Sequence, residues 1–180
     1  MELSVQLDDN ILDKVKNELE NLYAIIDGYS ALQAIRESKS EKSLSNPFWR
    51  EVTVALTDQV TINWCKLFGI DCQDTYWKQT TLEQASFREA VYAKTGMDYK
   101  GWDKYRHEMH ELRNELIHHM TPYHELSCKL DLLPAFQIAS ACHIWLRQVF
   151  NFYGIQAEGP INLEDYVDIS TTNALQQIEE

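Results

Sequence analysis

The chain predicts an all-α bundle of about five helices closed by an acidic carboxy-terminal tail. Three observations point there. Only six glycines and four prolines occur in 180 residues, so turn punctuation is too sparse for a many-stranded sheet. Apolar residues recur every three to four positions over long runs, the period of a helix that buries one face. Start and stop signals bracket those runs, as with Asn46-Pro47 before one and Gly69 after it.

Asp8, Asp9 and Asn10 offer N-caps for a first helix in which Ile11, Val15, Leu19, Leu22, Ile25 and Ile26 share a face. Gly28 is expected to end or kink it, with a resumption through Leu32 and Ile35. Positions 38–46 are rich in serine and lysine and read as a solvent loop. Asn46 then caps a second helix with Pro47 at its first turn, carrying Trp49, Val52, Leu56, Val60, Trp64 and Leu67 or Phe68 inward. Thr80 and Glu83 form a capping box for a third, with Phe87, Ala90 and Val91 buried and Gly96 as the stop. After a turn over 97–101, a fourth helix runs from about Trp102 to Met120, ended by Thr121-Pro122. Pro134 opens a fifth, with Phe136, Ile138, Ala141, Ile144, Trp145, Val149 and Phe152 inward and Gly154 at its end. The helical domain is expected over 1–154, and an acidic extension over 155–180 with at most a short helix near 172–178.

Cys65, Cys72, Cys128 and Cys142 form no C-x-x-C pair and sit in helical patterns, which reads as reduced structural thiols. The amino terminus has neither a basic n-region nor an apolar h-region, and no run approaches the ~18–20 apolar residues of a membrane span. A cytoplasmic protein without a membrane partner is expected. The formal charge of −12 argues against a chain that coats nucleic acid. Yet residues 78–113 hold seven basic residues against six acids, a local charge of +1 that leaves −13 elsewhere. A small anionic site is permitted there.

That stretch leads into Arg113-Asn114-Glu115-Leu116-Ile117-His118, followed by His119. At about 100° per residue, Tyr105, Met109, Leu112, Leu116 and Met120 form the core stripe of the fourth helix. His107, Glu111, Asn114 and His118 fall on the opposite side, with Arg113 and Ile117 between. Histidine titrates near neutrality and so serves as general acid or base. Arginine supplies a planar, permanently charged fork for phosphate oxygens. Together they make a minimal kit for cleaving an RNA phosphodiester without a metal or cofactor.

Plainer readings stand beside this one. Arg113 could pair with Glu111 or Glu115, and His118 could be a helix-end histidine favoured by the macrodipole. A metal clamp at His107/Glu111 or Asn114/His118 has the right spacing. However, His107-Glu108-Met109-His110 is one residue short of H-E-x-x-H, and Glu115-x-x-His118 is the sole Glu-x-x-His. No metal is expected. Trp49, Trp64, Trp77, Trp102 and Trp145 read as core or interface anchors, and His143 as a core histidine with a backbone partner.

Arg113-Asn114-x-x-x-His118, late in an all-helical chain, resembles the HEPN superfamily (higher eukaryotes and prokaryotes nucleotide-binding domains). The run Asn46-Pro47-Phe48-Trp49-Arg50-Glu51-Val52, continuing to Trp64-Cys65-Lys66-Leu67-Phe68, looks like its AbiU-type branch, associated with abortive infection against phage. The likeness covers roughly residues 10–153. It implies an RNA-cleaving homodimer with Arg113 and His118 of two copies at one cleft, acting as a toxin or phage-defence effector with an antitoxin or regulatory partner. Under that resemblance His118 is the general acid or base, Arg113 neutralises phosphate, and Asn114 orients His118 or binds phosphate. His119 could share the role of His118, while Glu111 could orient His118 or His107. The alternative is a non-catalytic HEPN-like module that binds a nucleotide or a partner protein.

Overall fold

In a computed structural model, residues 9–38, 46–69, 77–80, 84–118, 131–152, 154–156 and 159–179 are described. They hold seven helical segments and, among the described residues, no strand: α1 (Asp9–Glu37), α2 (Pro47–Phe68), α3 (Trp77–Thr80), α4 (Gln84–Thr95), α5 (Tyr99–His118), α6 (Leu133–Phe152) and α7 (Leu163–Glu179). The all-α expectation holds. The count of about five does not, because the four-residue α3 and the long α7 were not foreseen.

α1 lies along α2 and α7, α4 packs on α6, and α2 on α5. One core runs through all of them, centred on the fully buried Trp64, Phe68, Phe87, Leu22 and Met109. Aromatic rings fill its middle: Trp64 meets Phe68 at 5.2 Å and Tyr105 edge-on at 5.6 Å, and Phe87 meets Trp77 at 4.7 Å. Trp102 and Trp145 are buried as well, so four of the five tryptophans are core anchors, and Trp49 is half-buried.

α2 begins as its cap predicts. Asn46 Oδ1 accepts from the Phe48 amide at 2.9 Å, and Gly69 closes the far end by donating to the Cys65 carbonyl at 2.9 Å. Gly96, at φ +70°, stops α4. α5 starts three residues earlier than expected because Asp98 caps it, accepting from the Gly101 amide at 2.8 Å. The Glu83 half of the predicted capping box lies outside the described residues, as do the 39–45 loop, Met120 and the Thr121-Pro122 stop.

Gly28 does not end α1. The helix continues past it to Glu37, and the missing side chain lets α2 approach: a Cβ there would sit 2.7 Å from Val60 Cγ2. Gly28→Ala gains about 1 kcal/mol of helix propensity. It also overpacks a stiff β-branched neighbour, at a cost of about 1–3 kcal/mol. The expected result is a net loss of about 1 kcal/mol, read as a lower urea midpoint, against a gain at an ordinary exposed helix glycine.

Two expected core residues of α6 face outward: Ile144 is 46% and Phe152 81% exposed. The carboxy-terminal segment, expected to carry at most a short helix, forms 17-residue α7. Asn162 caps it by accepting from the Glu164 amide at 2.9 Å, and Glu164 and Asp165 complement its amino-terminal dipole. Leu163 and Val167 enter the main core. Tyr166 donates to Asp27 Oδ1 of α1 at 2.9 Å, and Lys94 of α4 pairs with Glu164. Cys65 and Cys142 are free and buried, while Cys72 and Cys128 lie outside the described residues. Among the described residues, no helix is long and apolar enough to cross a membrane.

Candidate active site

α5 presents the motif. Its apolar stripe is as predicted, with Tyr105, Met109, Leu112 and Leu116 all buried. Among the described residues, Leu112 and Leu116 form a small cluster apart from the main core. Two contacts fix α5 against α2. Cys65 Sγ reaches the Met109 carbonyl at 3.6 Å, and Arg106 donates to the carbonyls of Phe68 and Gly69 at 3.0 and 2.8 Å. Their order along the two helices makes them antiparallel. Arg106 thereby caps the negative end of α2, which commits it to structure rather than to a ligand.

The half-buried Arg113 lies on the side of α5 that faces α2. Burial drives the Cys65 thiol up to about 11, and the Arg113 guanidinium is close enough to oppose that rise. Its Nη2 donates to Asn114 Oδ1 at 2.9 Å and lies 3.0 Å from His110 Nε2. Asn114 Nδ2 in turn lies 3.3 Å from His110 Nδ1. Arg113 Nε is buried with no hydrogen-bond partner among the described residues. Arginine, amide and imidazole therefore do converge, but among the described residues the imidazole is that of His110.

The sequence reading weighed His110 only as a metal ligand and followed the His107–Glu111–Asn114–His118 row, so it missed His110 as a partner of Arg113. The signal was present: His110 stands three residues before Arg113 and four before Asn114, the two spacings at which helical side chains meet. Its pKa is lowered by burial, then by the Arg113 guanidinium and by His107, with Glu111 acting in the opposite sense. Protonation of His110 is thus disfavoured.

The other motif residues stand as follows. His107 is exposed and turns back one turn, its Nδ1 2.7 Å from the Asp103 carbonyl, away from Arg113. Glu111 is exposed beside His110. His118 is the last residue of α5, one turn beyond Asn114, and its side chain lies outside the described residues, as does the whole of His119. Among the described residues no three His, Cys, Asp or Glu side chains are grouped to hold a metal.

Much of the local positive charge is already spoken for. Lys94 pairs with Glu164, Lys104 lies 3.5 Å from Glu108, and Arg88 donates to Gln84 Oε1 at 3.3 Å over the Trp77 ring. Arg113, by contrast, makes its hydrogen bonds among the described residues to an imidazole and an amide. A separate cleft of about 510 Å³, lined by Tyr29, Gln33, Glu37, Phe136, Asp168 and Thr171 among others, includes no motif residue, and its two carboxylates suit no anion.

No protein-family model, curated protein or solved structure matches the chain.

Proposed function

We propose that the chain is a metal-independent endoribonuclease of the HEPN type, working as a homodimer and serving as a toxin or phage-defence effector in the cytoplasm. The observation that supports it best is the half-buried Arg113 guanidinium, oriented by His110 and Asn114 about one and a half helical turns before His118. Such a guanidinium meets the non-bridging oxygens of a phosphodiester with its charge intact.

The chemistry is transesterification. A His118 imidazole takes the proton of the ribose 2′-hydroxyl, and O2′ attacks phosphorus in line with the 5′-oxygen. Negative charge grows on the non-bridging oxygens, where Arg113 stabilises it. The P–O5′ bond breaks, the leaving 5′-oxygen takes a proton from a second imidazole, and the products carry 2′,3′-cyclic phosphate and 5′-hydroxyl ends. Two copies of the chain, related by a twofold axis beside α5, supply the second imidazole with no extra sequence.

Purified full-length protein incubated with mixed RNA is expected to cleave equally with and without EDTA, and to leave those two ends. EDTA-sensitive cleavage or 3′-hydroxyl products would overturn the reading. Saturable nucleotide binding without turnover would favour the non-catalytic module instead.

A further inference from the structure

The cleft of about 510 Å³ between α1, α6 and α7 is lined by no residue of α5, and its size is that of a small-molecule site. Its floor is apolar. Tyr29 and Phe136 stack in parallel at 4.9 Å, and both are buried, as is Val167. Most of the polar lining is committed within the protein. Thr171 donates to the Ser30 carbonyl at 3.4 Å, Thr172 to the Asp168 carbonyl at 2.8 Å, and Gln33 is bonded to the Tyr29 hydroxyl. Two exposed carboxylates are left, Glu37 and Asp168, and neither is in an ion pair among the described residues.

These carboxylates stand toward opposite ends of the cleft. The Tyr23 ring lies against Gly159, Tyr166 donates to Asp27 and Thr171 to Ser30, so α1 and α7 run side by side in the same direction. The last contact sets the register: Asp168 precedes Thr171 by three residues, and Glu37 follows Ser30 by seven. At 1.5 Å per residue the two positions are about 10–15 Å apart along the cleft, too far to share one metal ion. From Gln148 to Glu180 the chain holds six acids and no lysine or arginine, so the α7 wall is negative throughout. Across the cleft, Arg36 and Asp131 act on the Tyr29 phenol in opposite senses and offset each other.

We propose that this cleft binds a linear alkyl polyamine, its methylenes over the Tyr29–Phe136 floor and its terminal ammonium groups at Glu37 and Asp168. An alkylammonium lays its carbons on apolar surface and keeps its charged head in a polar setting. Its three N–H donors and no acceptor match a lining whose open groups are acceptors. Charge at both ends of a flexible chain fits two carboxylates parted by an apolar strip.

The test is calorimetric titration of the full-length protein with the triamine spermidine at physiological ionic strength, where screening suppresses loose counterion binding. Saturable one-to-one binding is expected, about tenfold tighter than that of the short diamine putrescine, which cannot reach both carboxylates. Glu37→Gln and Asp168→Asn are each expected to weaken it by about tenfold, the loss of one charge-assisted hydrogen bond. Glu89→Gln, which removes an exposed carboxylate of α4 outside the cleft, is expected to leave it unchanged. All three positions are exposed and the swaps nearly isosteric, so thermal melts should superimpose on wild type. No saturable binding, equal affinity for the diamine, or equal weakening by Glu89→Gln would overturn the proposal. Tighter binding of trilysine than of spermidine would assign the cleft to lysine side chains of a partner peptide and overturn the free polyamine. RNA cleavage plays no part in these readouts, so the proposal and the ribonuclease reading stand or fall separately.

Discussion

Arg113→Ala is expected to slow RNA cleavage by about a thousandfold while leaving fold and self-association intact. The guanidinium's hydrogen-bond contacts, to His110 and Asn114, lie within its own helix, and such i,i+3 and neighbouring contacts contribute only about 0.2–0.5 kcal/mol to stability. Its removal therefore costs little folding free energy, whereas on the proposed mechanism it takes away the positive charge that stabilises the phosphorane. Arg113→Lys restores a charge but not the fork. A single ammonium cannot bond His110, Asn114 and a phosphate oxygen in one plane, so recovery to no more than about a tenth of wild-type rate is expected. His118→Ala should lose about 10²–10⁴-fold by removing the acid or base. Single-turnover rates, with circular-dichroism melts and gel filtration beside them, check all three. Wild-type rates from Arg113→Ala would remove the arginine from the chemistry altogether.

The sequence carried the second helix to its caps at both ends, and the physical reason is redundancy. α2 announces itself by cap, proline, buried stripe and closing glycine at once, and each signal agrees with the others. α7 was missed because its buried side is narrow, one residue per turn at Leu163, Val167 and Thr171, the last of them polar. Its start signals, Asn162 with Glu164 and Asp165, were legible and were outweighed by composition. Gly28 misled because a helix-breaking residue and a close-packing residue look identical in one dimension. Only Val60 across the interface tells them apart. At the site, periodicity correctly assigned Met109 and Leu112 to the core, but an angular sort treats a face as a set of directions. Side chains reach back along the helix, so Arg113 and Asn114 both find His110 on the preceding turn.

The second large expected effect is on acid stability, and it comes from His143. The sequence suggested a core histidine with a backbone partner; the residue is fully buried, yet neither ring nitrogen has a hydrogen-bond partner among the described residues. The Tyr23 ring from α1 meets it edge-on at 5.9 Å. Burial and then the Arg147 guanidinium oppose its protonation, bringing the pKa from 6.5 down to about 4. The unfolded chain therefore binds a proton that the folded chain refuses between those two values. The contribution of His143 is fully in place above about pH 6.5 and is lost progressively as pH falls toward 4, to a total on the order of 3 kcal/mol. His143→Leu keeps an apolar filling, removes both unsatisfied nitrogens and cannot titrate. Urea midpoints measured at pH 7, 5.5 and 4.5 should fall more steeply for wild type than for the leucine variant, and every other titrating group cancels in the difference. Glu18, buried on α1 and close enough to raise the neighbouring Cys142 thiol, is unchanged between the two proteins. Parallel curves would mean that His143 takes up its proton without unfolding the core.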